Sequence, residues 1–167
     1  MGIEMSMNAS AVGKAFDKLK TLLSGQVICD TFEKAAEEYF VKRIQDKATK
    51  LKIVETGAMR ASVKQKLISL NVYDGFTLKI YTNIPYALYH EKGTGRFAEG
   101  GKSKRSASQM PWVYLDERKG KYFTTYGVKP RPFFYSTVFE QQRNFVKHLS
   151  AKLNEKLKYA RWANAVS

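Results

Sequence analysis

The chain has 167 residues, of which 44% are hydrophobic, 13% aromatic and 26% charged. This length and composition predict one folded domain with its own core and exclude a disordered chain, which would lack so much apolar material. Twenty-nine Lys and Arg against fifteen Asp and Glu give a formal charge of +14, which favours acidic partners such as nucleic acid, acidic proteins or anionic membranes.

The N-terminal third predicts two helices behind a flexible segment at residues 1–10. Apolar residues recur every three or four positions over 11–23, which predicts an amphipathic helix that ends at Gly25. Asp30 followed by Glu33 forms a capping pair, and the apolar stripe behind it predicts a second helix to about Leu51. Both helices are expected to be packing elements.

The middle of the chain changes to a period of two. Thr56 is expected to cap a short helical turn that carries Arg60. Alternating apolar residues on either side of Asp74-Gly75 then predict an antiparallel hairpin that pairs about 63–73 with 76–83. Pro85 closes the second strand, and about two helical turns over 86–92 follow.

The C-terminal half predicts a loop, a hairpin and a long helix. Residues 94–108 are rich in Gly, Ser, Lys and Arg, which is typical of a mobile basic surface loop. Aromatic runs around Asp116–Lys121 predict a second hairpin, and a proline-stiffened connector leads to a helix over 134–163. We therefore expect one α+β domain over 1–167, in which antiparallel β-hairpins pack against N-terminal helices and a long C-terminal helix.

Catalytic patterns are weak. Gly95 to Ser103 resembles a phosphate-binding loop, but it has one residue too many and lacks the strand before it and the helix after it. His90 and His148 lack the spacing of zinc ligands, and the carboxylates are scattered rather than grouped around a metal. Cys29 is the only cysteine, so neither an internal disulfide nor a multi-cysteine zinc site is expected. We expect no enzyme activity, cofactor or metal, with a small nuclease or NTP-using enzyme as the outlying alternative.

No run approaches the ~18 apolar residues of a membrane span, and the N-terminus lacks a basic segment followed by an apolar stretch. We therefore expect neither a membrane anchor nor a secretion signal.

Three segments stand out in order along the chain. They are Thr-Gly-Ala-Met-Arg-Ala-Ser at 56–62, Pro-Tyr-Ala-Leu-Tyr-His-Glu-Lys-Gly-Thr at 85–94, and Gly-Val-Lys-Pro-Arg-Pro-Phe-Phe at 127–134. Together they resemble the phage HK-ninety-seven gene product ten family, the neck or tail-completion proteins of long-tailed phages. Met59 stands where that family usually has leucine, and the resemblance spans about residues 30–160.

The resemblance implies a structural virion protein, made in the bacterial host cytoplasm, that acts at the head–tail junction as a ring subunit. It implies a cyclic homo-oligomer, with a hexamer as one candidate, that contacts phage connector, tail terminator or tail tube proteins. Neck ring and tail terminator both remain open. The residues that match the family motifs are Thr56, Gly57, Arg60, Tyr86, Tyr89, Glu91, Gly93, Arg131, Pro132 and Phe133.

Two working surfaces are open at this point. Arg96, Lys102, Lys104 and Arg105 in the 94–108 loop are candidates for contact with a neighbouring subunit or with DNA in a central channel. The motif aromatics Tyr86, Tyr89, Phe133 and Phe134 serve either core packing or inter-subunit contact. The alternative function is a basic, non-sequence-specific DNA-binding protein that uses the final helix and this loop.

Overall fold

The computed structural model describes residues 3–9, 25–53, 57–71, 75–98, 111–117 and 119–166. They form an α+β fold, as the sequence predicts. The helices are α1 (Gly25–Ala36), α2 (Lys42–Lys50), α3 (Ala58–Ser62), α4 (Pro85–Lys92) and α5 (Tyr135–Val166). The strands are β1 (Ile3–Ala9), β2 (Lys64–Asn71), β3 (Gly75–Thr82), β4 (Trp112–Asp116) and β5 (Lys121–Thr125).

A three-stranded antiparallel sheet forms one layer, in the order β1-β3-β2. β2 and β3 are the hairpin that the alternation and Asp74-Gly75 predict, and a bulge between Leu67 and Ser69 shifts their register. Phe76, Leu78 and Ile80 alternate along β3 and are all buried, so one face of the central strand lies on the core.

The N-terminus is a strand, and the expectation of a flexible segment over residues 1–10 is wrong for 3–9. Ile3 pairs with Thr82 and Ala9 with Phe76, so β1 covers the second edge of β3. The physical reason is the alternation of Ile3 and Met5 with polar residues, which buries Ile3 while Glu4 on the other face forms an ion pair with Lys79.

The second predicted helix begins earlier than expected. α1 starts at Gly25 instead of Asp30, and the Asp30 carboxylate accepts a hydrogen bond from Gln26 Nε2 one turn back rather than capping a new helix. A π-helical segment, Glu37–Val41, joins α1 to α2 with helical backbone angles at both junctions. The predicted helix over 11–23 lies outside the described residues.

Aromatic rings join the helices to the sheet. Phe145 of α5 lies 4.9 Å from the ring of Phe40 and 5.9 Å from that of Phe76, and Phe32 of α1 lies 4.9 Å from Phe76. All four rings are fully buried. α5 therefore packs across both the π-helical segment and β3, which fixes its first half on the core.

The second hairpin is also confirmed: β4 pairs with β5 from Trp112–Thr125 to Asp116–Lys121 as a separate two-stranded sheet. The long C-terminal helix predicted over 134–163 is confirmed as α5, whose 32 residues make a rod of about 48 Å.

Candidate functional site

Glu91, at the end of α4, caps the start of α5. Its Oε2 accepts the backbone N–H of Phe133 at 2.8 Å and of Phe134 at 2.9 Å, and its Oε1 accepts that of Tyr135 at 2.9 Å. The first N–H groups of a helix have no partner within the helix, and Phe134 cannot cap them with its side chain. The Glu91 carboxylate, from a distant segment, therefore supplies acceptors for the first N–H groups of α5 and interacts favourably with the positive end of the helix dipole.

The environment of Glu91 suits this structural role. The residue is 5% exposed, and its two oxygens are occupied by three main-chain donors, so the carboxylate is not presented to a substrate. Burial, and then the nearby Glu91 carboxylate, raise the pKa of Tyr135 above the usual tyrosine value.

The connector before α5 is tied down on both sides. Arg131 donates its backbone N–H to His90 O at 2.7 Å, and its Nη1 to Leu51 O at 3.3 Å. The side chain of Ser136 donates to Pro132 O at 2.9 Å. Motif residues from the second and third segments therefore meet at one junction, which we call the α4–α5 junction.

Gly93 fits the α4–α5 junction only as glycine. Its φ is 72°, and a Cβ atom there would lie 2.5 Å from Phe97 O and 2.9 Å from both Val128 O and the Pro130 ring. Other residues rarely adopt this φ, and the surrounding atoms are mostly main chain that cannot rotate away. Gly93 thus allows close packing of two backbone segments.

The first motif segment lies on the opposite side of α2. Gly57, with φ 74°, is the residue that precedes α3, so the expected cap at Thr56 is displaced by one position, and Thr56 itself lies outside the described residues. Gln45 Nε2 donates to Arg60 O at 2.9 Å, while Arg60 Nη1 lies 3.5 Å from Thr49 Oγ1. Arg60 is exposed and touches only α2 in these contacts.

α2 bridges the first motif segment to the start of α5. Lys47 Nζ donates to Ser136 Oγ at 2.9 Å and forms an ion pair with Glu140 at 3.2 Å, and it lies midway in sequence between Gln45 and Thr49, which contact Arg60. α2 therefore contacts the first motif segment on one side and the start of α5 on the other.

The motif aromatics divide between core and surface. Phe133 and Phe134 are fully buried and pack edge to face at 6.4 Å, so core packing is their role. Tyr86 and Tyr89 on α4 are exposed. The sequence alone did not distinguish these two pairs.

The start of the 94–108 loop is anchored, which corrects the expectation of a mobile loop for residues 94–98. Thr94 donates its N–H to Val128 O and Arg96 to Tyr126 O, both at 2.9 Å, and Gly95–Phe97 form a 3-10 turn. Main-chain pairing with 126–128 holds the segment. Arg96 has an exposed side chain, while Lys102, Lys104 and Arg105 lie outside the described residues.

The β4–β5 hairpin exposes apolar side chains on both faces, and sequence reasoning did not select it as a working surface. Val113, Leu115 and Tyr122 lie on one face and are 61%, 47% and 74% exposed. Tyr114 and Phe123 stack at 6.0 Å on the other face, which is also exposed. The aromatic and β-branched composition of the hairpin was the signal for this surface that the sequence offered.

The hairpin is fixed to the rest of the protein at its base. Gly127, with φ 117°, leaves no room for a Cβ against the main chain of Thr94, and Gly95 packs against the Trp112 ring with a similar lack of space. The hydrogen bonds of Thr94 and Arg96 described above close the same base. The hairpin therefore projects in a defined direction from the α4–α5 junction.

Neither a metal-binding cluster nor a membrane-spanning helix is found in the described part of the chain. No group of three or more His, Cys, Asp or Glu residues is placed to hold a metal ion among the residues described. Gly95 follows α4 instead of the strand that a phosphate-binding loop requires. None of the described helices combines the length and the apolarity needed to cross a membrane.

Comparisons with known proteins found no matching family model, no similar curated protein and no similar solved structure.

Proposed function

We propose that this protein is a structural subunit that assembles with copies of itself into a closed ring at a phage head–tail junction, as a neck or tail-completion component. The observation that carries the self-assembly is the exposed apolar β4–β5 hairpin. The motif resemblance supports the phage setting, since its three segments occur in order along the chain, and the second and third of them meet at the junction that orients the hairpin.

The charge distribution favours the hairpin as the contact between copies. Each copy carries a formal charge of +14, so most of its surface repels a second copy. Residues 112–126 contain two acidic and three basic residues, a net charge of only +1. An apolar and nearly neutral surface is where like-charged copies associate at the lowest electrostatic cost.

A ring also needs a fixed angle between successive copies. A heterologous contact, in which one surface meets a different surface of the next copy, closes only if its rotation divides a full turn. The tight glycine packing at the hairpin base and the Glu91 cap at the start of α5 hold the hairpin and the helix at defined positions. This rigidity suits a closed ring.

Solution mass tests the role of the hairpin. The double variant Leu115→Lys/Tyr122→Lys places two charges on its exposed face, and we expect it to sediment as a monomer of 19.1 kDa where the natural chain forms an oligomer. Tyr159→Lys/Trp162→Lys adds the same charge on the exposed end of α5 and is the matched control. An oligomer that persists in the hairpin variant but not in the control would refute this role.

Particle assembly tests the phage setting. In a phage that encodes this chain, we expect hairpin variants to leave DNA-filled heads and tails unjoined in electron micrographs, with infectious titre strongly reduced. Deletion of residues 95–106 tests the basic loop in the same way, and we expect the same defect. Normal titre from both variants would exclude the junction role.

A cationic stripe on α5 favours a second candidate function, DNA binding without sequence specificity. Arg143, Lys147, Lys158 and Arg161 are all exposed, and their helical spacing places them along one side of the rod. Sub-micromolar, salt-sensitive binding of duplex DNA by the monomeric hairpin variant at physiological salt would support this function over ring assembly.

A further inference from the structure

The end of α5 carries two adjacent exposed aromatic side chains. Tyr159 and Trp162 lie three residues apart, on one face of the helix, and each is 68% exposed. Leu153 is buried and Leu157 packs against the core, both on the opposite face. The two rings therefore point away from the core although they are among the largest apolar groups in the chain.

Basic residues surround these rings. Residues 152–162 contain four cations and one anion, a net charge of +3, and the anion, Glu155, lies 3.9 Å from Lys152 Nζ. Lys158 lies one turn before Trp162, and Lys156 lies three residues before Tyr159, so each ring has a cationic neighbour on the helix surface, beside the single anion Glu155. Aromatic anchors within a charged rim are the usual composition of a protein-binding surface, in which Trp, Tyr and Arg contribute most of the affinity.

The charge of the surface selects its occupant. A second copy of the chain, at +14, is repelled by a local charge of +3, so self-association here is disfavoured. An anionic membrane would need a long apolar helix face, and apart from the two rings the exposed residues over 152–162 are polar or charged. A protein segment that combines acidic and apolar side chains can form ion pairs with the lysines and pack against the rings.

We propose that the exposed end of α5, centred on Tyr159 and Trp162, is a docking surface for an acidic protein segment with apolar side chains. The aromatic rings supply buried apolar area, and Lys156, Lys158 and Arg161 supply attraction and orientation. This surface is separate from the β4–β5 hairpin and does not depend on ring assembly.

Binding of defined peptides to the full chain tests the proposal. Four labelled probes are compared by fluorescence anisotropy: a 16-residue peptide of alternating Glu and Leu pairs, a 16-residue Glu/Ser peptide, a 16-residue Ser/Leu peptide, and a 20-nucleotide oligothymidine. We expect the Glu/Leu peptide to bind at least tenfold more tightly than either other peptide or the oligothymidine. The Trp162→Ala and Tyr159→Ala variants should each weaken its binding about tenfold, as removal of an aromatic anchor does.

Two variants separate this surface from general attraction to a basic protein. Phe139→Ala removes another exposed ring, from the first half of α5, and should leave the Glu/Leu affinity unchanged, whereas Lys158→Glu/Arg161→Glu should lower it by more than tenfold. Equal binding of the two acidic peptides, tighter binding of oligothymidine, or insensitivity to Trp162→Ala would each overturn the proposal. The solution mass of Trp162→Ala should equal that of the natural chain, so failure here differs from failure of the ring.

Discussion

The carboxylate of Glu91 accepts the backbone N–H of Phe134 at 2.9 Å, although the two residues are 43 positions apart in the sequence. Through this contact and the two beside it, the end of one short helix determines where a helix of 32 residues begins. The fold therefore depends on one buried acidic side chain that has no cationic partner in these contacts and relies on main-chain donors instead.

Replacement of Glu91 should lower the free energy of unfolding strongly. Glu91→Ala leaves three N–H groups, two buried and one partly buried, without an acceptor, which we expect to cost about 3–5 kcal/mol, and Glu91→Gln, with one acceptor oxygen, about 1–3 kcal/mol. Urea denaturation measures both. Glu140→Ala, which removes a half-exposed ion pair with Lys47, is the control and should cost less than about 1 kcal/mol. Equal losses in Glu91→Ala and Glu140→Ala would contradict the capping role.

Glycine substitutions should separate backbone strain from steric conflict. Gly93 and Gly120 both have positive φ, but a Cβ at Gly120 meets nothing within 4 Å, whereas one at Gly93 meets main-chain oxygens. We expect Gly120→Ala to cost about 1 kcal/mol from strain alone and Gly93→Ala at least about 3 kcal/mol. Thermal unfolding of the two variants measures the difference, and similar midpoints would show that the junction is loosely packed.

Alkaline pH should destabilise the protein in part through Tyr135. Because burial and the Glu91 carboxylate raise its folded-state pKa, the unfolded chain loses this proton at a lower pH than the folded chain. The stabilisation of the folded state that comes from protonated Tyr135 is therefore complete below pH ~10 and is lost as pH rises through the folded-state pKa. Tyr135→Phe should show a shallower fall in stability between pH 9 and 11 than the natural chain. An identical fall of stability with pH in the variant and the natural chain would show that Tyr135 does not contribute to the alkaline loss of stability.

Local patterns predicted the strand pairs because each pair is set by a short segment. The alternation around Asp74-Gly75 and the aromatic runs around Asp116–Lys121 correspond to the observed hairpins. β1 was missed, although Ile3 and Met5 alternate with Glu4 in the same way, because a strand that adds to an existing edge has no turn signal of its own.

The role of Glu91 could not be predicted from its neighbours, since its partners come from a segment 42 to 44 positions away. One signal was available: α5 begins after Phe133-Phe134, without the Ser, Thr, Asp or Asn that usually caps a helix, so its cap had to come from elsewhere. The exposure of the hairpin and of Tyr86 and Tyr89 depends on tertiary packing, and composition alone does not reveal it.

Native mass spectrometry of the unmodified 167-residue chain tests the central claim of ring assembly most directly. At micromolar concentration we expect one dominant species at a fixed integer multiple of 19.1 kDa, which the Leu115→Lys/Tyr122→Lys variant converts to the monomer. A monomer alone at every concentration up to about 100 µM, or an open series of sizes without a dominant closed species, would contradict the claim.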